Sequence, residues 1–274
     1  MKTNLHIKAG DNTDPSQSIL LMNAGEKYFS FSRLNHLSKE LIEFGYYSTE
    51  NIKEDGWADF FEQNDVLSER YYQSAIAFNV AESVLVPAEY YRSEDVQLQL
   101  KTVYGNSVQS VLIAEHLPDW NMYNVYRVPG ALHSAINKKF VTGKFWNANS
   151  VLLNNFSGEK KGAMLLDFRT DEFSIIVFKD NSLQLAQSFT YSSPEDVMYY
   201  LLKICQQFDL SQQDVKVVLA GLIEKDSSVY RELYKYFIHP EFENLPGGIR
   251  IAEALSDYPG HYFSFICKLA TCVL

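Results

Sequence analysis

The chain spells out one folding programme twice. Residues 20–48 align on residues 164–192 at a constant offset of 144, without a gap. Leu21, Phe29, Ser30, Ser38, Leu41, Tyr47 and Ser48 recur as Leu165, Phe173, Ser174, Ser182, Leu185, Tyr191 and Ser192. That is seven identities, where ordinary residue usage gives about two. Around each copy the periodicity predicts three strands, a helix and a further strand. In the first half these are Ile19–Met22 and Tyr28–Leu34, joined through Gly25, then "KELIEFGYY", the helix "DGWADFFEQNDVL" and the first of two strands in "SAIAFNVAESVLVPAEYY", which break at Pro87. In the second they are Met164–Asp167, Phe173–Phe178, "SLQLAQSFTY", the helix "SSPEDVMYYLLKICQQF" and the buried strand "VKVVLAG". A repeated strand-rich unit with a helix in each copy points to an α/β fold, with mixed sheets flanked by helices.

The helix "SSPEDVMYYLLKICQQF" has the clearest signals. Ser193 is placed to cap it, Pro194 suits its first position, and Glu195 and Asp196 favour its positive end. Val197, Tyr200, Leu201, Ile204 and Phe208 fall on one face. Between the copies, "VQSVLIAEHL" and "NMYNVYRV" read as a strand pair around Pro118, "SEDVQLQLKTVYG" and "ALHSAINKKF" as helices. The pattern divides the chain into a flexible arm at 1–17, a first lobe at 18–142, a second at 143–258, and a C-terminal helix at 259–274 expected to pack back on the first lobe.

Composition narrows the function classes. The net charge of −10 opposes a phosphate backbone, so no nucleic-acid partner is expected. The 18 Tyr and 18 Phe fall inside apolar runs and read as packing mass rather than a base-stacking platform. Cys205, Cys267 and Cys272 form no CxxC pair, and buried free thiols suit a reducing compartment. The N-terminal stretch has no apolar h-region, and "YFSFICKLATCVL" is too short to span a bilayer. A cytoplasmic protein with no membrane span is the expectation.

The usual catalytic signatures do not occur. "SGEKKG" lacks the spacing and ending of a P-loop, and neither GxGxxG nor GxSxG is present. The six histidines have no metal-ligand spacing, so no metal site is expected. Asn155–Phe156–Ser157 fits a glycosylation acceptor, which has no role in the cytoplasm. Acidic pairs such as Glu94/Asp95 and Glu195/Asp196 sit at helix starts, where capping accounts for them.

The duplicated unit resembles the actin-like ATPase superfamily, and the chain is similar to an uncharacterised bacterial family (a domain of unknown function) assigned to it. The resemblance rests on "ESVLVPAEYY", "YRVPGAL", "AQSFTYSSPEDVMYYLLKICQQFDL" and "VVLAGLIEKDSSVYRELYKYF", and runs from about Ile19 onward. It implies two ribonuclease-H-like lobes flanking a nucleotide cleft, and three nucleotide-binding elements. The first, Asp-x-Gly, falls on Asn23–Ala24–Gly25: the glycine remains and the carboxylate is an amide. The second, Asp-x-Gly-Gly, falls on Asp167–Phe168–Arg169–Thr170: the acid remains and both glycines are gone. The third, a glycine pair beside adenosine, retains Gly221 alone.

Asn23, Gly25, Asp167, Arg169 and Gly221 are thus vestigial phosphate or adenosine positions. No catalytic residue is assigned, and no cofactor is expected. The kept architecture with the missing phosphate-binding glycines points to a non-catalytic scaffold or interaction protein with a protein partner or a homodimeric form. The alternative is an ATP-binding switch or phosphotransferase using ATP with Mg²⁺, which requires Asn23, Asp167 and Gly221 to meet at one open cleft.

Overall fold

Ser18–Gly25 (β2) is buried along its whole length, as a strand must be when its apolar run, Ile19–Met22, leaves no polar face for water. A computed structural model describes residues 2–10, 14–48, 54–107, 109–156, 161–238 and 240–274. Ser157 of the Asn-Phe-Ser triplet, most of "SGEKKG" and His239 lie outside the described residues. The chain forms two compact units: residues 1–151, 247–257 and 269–274, and residues 152–246 and 258–268.

In the first unit, β2 is preceded by Lys2–Lys8 (β1) and followed by Tyr28–Asn35 (β3) and Glu40–Ser48 (β4). Helices Glu54–Gln63 (α1) and Asp65–Ser68 (α2) lead to Gln73–Asn79 (β5). An insertion follows: Ser83–Pro87 (β6), helix Val96–Tyr104 (α3), Ser110–Leu117 (β7) and Met122–Pro129 (β8). Helix Gly130–Lys139 (α4), strand Lys144–Asn147 (β9) and helix Ala148–Asn154 (α5) complete the run, the residues of α5 from Leu152 on belonging with the second unit. The main sheet has the order β1-β4-β3-β2-β5-β9, and β6-β8-β7 form a separate antiparallel sheet. Phe29 meets Trp57, Phe60 and Phe61 edge-on at the centre of this unit's core.

The second unit starts with Ala163–Phe168 (β10), Glu172–Lys179 (β11) and Ser182–Thr190 (β12). Helix Pro194–Gln207 (α6), strand Lys216–Gly221 (β13), helix Ser228–Tyr236 (α7) and strand Glu241–Phe242 (β14) follow. The sheet order is β12-β11-β10-β13-β14. Ser193 caps α6 as its sequence requires: its hydroxyl accepts from the Asp196 N–H, and the Asp196 carboxylate accepts from the Ser193 N–H. Residues 247–257 belong with the first unit, where the two-residue strand Arg250–Ile251 (β15) pairs parallel with β4. In the last helix, Ser264–Thr271 (α8), residues up to Lys268 belong with the second unit and the rest with the first.

The duplication is structural. Asn23 lies opposite Ser30 and Ala77, and Asp167 opposite Ser174 and Ala220. The bulge at Arg33/Leu34 recurs at Val177/Phe178, the same offset of 144. Beyond that point the gapless alignment is two residues out. Tyr47 pairs with Phe29, but the residue pairing with Phe173 is Phe189, not Tyr191. The cause is turn length: four residues separate β3 from β4, whereas only Asp180 and Asn181 separate β11 from β12. Both adopt positive φ, as a two-residue hairpin turn demands.

Residues 2–8 are not the loose arm expected from their polarity. They form β1, which pairs antiparallel with β4. Exposed and half-buried residues alternate from Asn4 to Lys8, with Leu5 and Ile7 the half-buried ones, and His6 contacts the buried Glu43 at 2.9 Å. A strand covering a sheet edge needs apolar residues on one face only, so its composition stays polar.

Candidate functional site

The hairpin joining β10 to β11 is a tight turn closed by the Arg169 N–H, which donates to the Glu172 carbonyl at 2.8 Å. No residue from Arg169 to Glu172 has positive φ. The turn therefore has no conformational need for glycine, which is why it tolerates Arg-Thr-Asp. Tyr191 clamps it from β12's end: its N–H donates to the Asp171 carbonyl and its hydroxyl to the Arg169 carbonyl, both at 2.9 Å.

The Arg169 side chain folds back beneath the turn. It is 4 % exposed, and Nη2 donates to Asp167 Oδ2 at 2.9 Å. Nη1 donates to Ser174 Oγ at 3.1 Å and lies 3.7 Å from Glu172 Oε1. Ser174 Oγ in turn meets Ser188 Oγ on β12 at 2.8 Å. Asp167 is 3 % exposed. Burial pushes its carboxyl above the usual range, and the charges of Arg169 and then Lys268 pull against that rise. Lys268, itself buried, pairs with Glu243.

Gly221 ends β13 directly beside this pair, with Phe168 as its register partner. Its φ is +75°, and a Cβ there would lie 2.1 Å from the Phe168 carbonyl oxygen and 2.8 Å from Asp167 Oδ1. Glycine is required for the close packing of β13 on β10. The Leu222 N–H then donates to the Phe168 carbonyl at 2.8 Å, and His261 Nε2 to the Ile223 carbonyl at 2.7 Å.

In the first unit, Asn23 is buried on β2, and its Oδ1 has no hydrogen-bond partner among the described residues. Gly25 keeps an ordinary backbone conformation. A Cβ on it would meet the Tyr28 ring at 2.8 Å, so this glycine makes room for Tyr28, which stacks on Tyr46. Glu26 follows, held above its ordinary range by burial and by Glu82. Position 23 thus carries a neutral amide, which brings no charge to a cation.

The structure thus brings Asp167, Arg169 and Gly221 together in the second unit and places Asn23 and Gly25 in the first. The Arg169 side chain points inward to Asp167. Its guanidinium is engaged by one carboxylate, a second nearby acid and a serine.

Sequence reasoning passed over a polar cluster in the first unit. Glu115 Oε2 on β7 accepts from the Asn147 N–H at 2.8 Å and the Ser150 hydroxyl at 3.0 Å. The fully buried Asn124 donates to Ser150 Oγ and accepts from the Ser83 hydroxyl, both at 2.9 Å. Burial raises Glu115 to about 7, against the pull of those two donors. Its signal was available: a lone acid inside "VLIAEHL", matched by the polar run "NANS" at 147–150. Among the described residues no group of three His, Cys, Asp or Glu converges as metal ligands, and no helix is long and apolar enough to cross a membrane.

A family model described as "Protein of unknown function (DUF3822)" matches residues 8–239. A solved Bacteroides thetaiotaomicron VPI-5482 protein, described as having an actin-like ATPase fold and unknown function, aligns with a TM-score of 0.75 at 20 % identity, over 93 % of this chain and 96 % of that one. The PilM–PilN type IV pilus biogenesis complex aligns with a TM-score of 0.58 at 11 % identity, over 94 % and 99 %. At these identities the likeness is one of fold. No curated protein sequence matches the chain.

Proposed function

We propose, for a chain that belongs to the DUF3822 family of unknown function and has the actin-like ATPase fold, a role as a non-catalytic scaffold that works by binding another protein. The observation that carries this reading is the Asp167–Arg169 pair. Phosphoryl chemistry needs a carboxylate free to hold a hydrated cation and backbone N–H groups open to phosphate. Here the one acid retained from the two hairpins is buried against a neighbouring guanidinium, and its counterpart is the uncharged Asn23.

The two retained glycines support the same reading. Gly221 serves strand packing and Gly25 accommodates Tyr28, so each has a structural reason to persist without nucleotide. Among similar folds, the PilM structure is of a protein in complex with PilN, which makes a protein partner a natural use of the scaffold. Isothermal titration of the full chain with ATP and Mg²⁺ tests this: no saturable heat is expected, and sub-millimolar binding that depends on Mg²⁺ overturns it.

A further inference from the structure

The insertion in the first unit contains a pocket of about 230 Å³, walled by Gln97 and Lys101 of α3, Asn106 and Ser107 after it, Ser110 of β7 and Arg127 of β8. Two cations and no acid line it, in a chain whose net charge is −10. The other polar walls are amides and hydroxyls, which hydrogen-bond without adding charge.

Arg127 carries the argument. It is 7 % exposed, and its Nη1 donates to Glu82 Oε2 at 2.9 Å and to the Gly105 carbonyl at 3.0 Å. Nε and Nη2 have no protein partner among the described residues, yet neither is sealed from solvent. These two nitrogens form the straight edge of the guanidinium, whose parallel N–H groups match two oxygens of one carboxylate or phosphate. Glu82 engages the opposite nitrogen, so it orients the fork and leaves that edge open. Lys101 lines the same pocket and has no ion-pair partner among the described residues. Leaving the donors of a nearly buried arginine unused is unfavourable unless something else takes them up.

We propose that this pocket binds the oxyanion group, carboxylate or phosphate, of a small molecule. Arg127 grips two oxygens through Nε and Nη2, Lys101 supplies the second positive charge, and Asn106, Ser107 and Ser110 hydrogen-bond the remaining polar atoms. The pocket is smaller than the roughly 300–1,000 Å³ of drug-sized sites, so the ligand is compact. The site is remote in sequence from both hairpins and does not depend on the scaffold reading.

The test is calorimetric titration of the full chain with inorganic phosphate and, separately, with succinate, at low ionic strength in a buffer free of other oxyanions. At least one is expected to saturate with a millimolar or tighter Kd, and which one does distinguishes phosphate from carboxylate chemistry. Lys101→Gln is expected to weaken binding about fivefold, and Arg127→Lys, which keeps a cation beside Glu82 but loses the fork, about tenfold or more. Should Arg127→Lys not fold, Ser110→Glu, which places an acid in the pocket wall, is expected to abolish binding. The proposal is overturned if neither anion saturates by about 20 mM, or if the folded variants bind as the wild type does.

Discussion

Arg169 Nη2 donates to Asp167 Oδ2 at 2.9 Å, with both side chains 4 % exposed. Arg169→Ala leaves a buried carboxylate without its partner, and breaking such a pair destabilises by about 3–5 kcal/mol. The double variant Asp167→Asn/Arg169→Met removes both charges and is expected to lose much less. Chemical denaturation of the three proteins measures this; equal losses in single and double variants would refute it.

The same variant has a pH signature. Burial already raises the Asp167 carboxyl, and Arg169 is the larger of the two opposing charges. Without Arg169 the folded-state value rises further above the unfolded one. A carboxyl raised in the folded state contributes most when protonated, and that contribution is lost as pH rises through its folded value. Arg169→Ala should therefore melt closer to the wild type at pH 5 than at pH 8. A gap that is constant with pH would count against it.

Gly221 and Gly105 both have positive φ, +75° and +80°. A Cβ at Gly105 meets nothing within 4 Å, whereas at Gly221 it would lie 2.1 Å from the Phe168 carbonyl oxygen. Gly105→Ala is expected to cost about 1–3 kcal/mol from backbone strain alone. Gly221→Ala adds a clash that β10 and β13 must separate to relieve, so its loss is larger. Paired thermal melts decide the order.

Glu115 is raised from 4.5 to about 7 by burial. The unfolded chain ionises first, so this group lowers stability progressively between about pH 4.5 and 7, by at most about 3 kcal/mol. Tyr126 and Cys272, which its charge reaches, are both raised, by burial first and by Glu115 second, and stay neutral in that window. Glu115→Gln keeps an acceptor for Asn147 and Ser150 and should flatten the pH dependence of the melting temperature between pH 5 and 8. Parallel wild-type and variant curves would exclude Glu115 as the source.

Cys205 and Cys267 are buried, with thiols pushed up to about 11 and about 12; Cys272 is half-buried and raised to about 11. The thiolate is the reactive form. All three should react slowly with a disulfide reagent at pH 8 in the native state, Cys272 first because it alone is partly exposed. Mass spectrometry of the labelled sites over time reads the order, and prior labelling of Cys267 would contradict it.

The sequence by itself determined the duplicated unit, because strand periodicity, turn residues and the Ser193–Asp196 cap are local properties written in consecutive residues. Leu21, Phe29 and Ser30 occupy the same positions in the β2–β3 pairing as Leu165, Phe173 and Ser174 do in the β10–β11 pairing. The matches beyond the turns joining β3 to β4 and β11 to β12 are not equivalent, because a two-residue difference in turn length shifts one strand by a full pleat and leaves its facing pattern intact. The tertiary structure alone decided where side chains spend their charge. Nothing in "DFRTDE" says that Arg169 turns inward to Asp167 rather than out toward an anion, or that Gly221 is held by Phe168 from another strand. Those outcomes depend on the burial and strand pairing of residues far apart in sequence, and a linear pattern does not encode such distances.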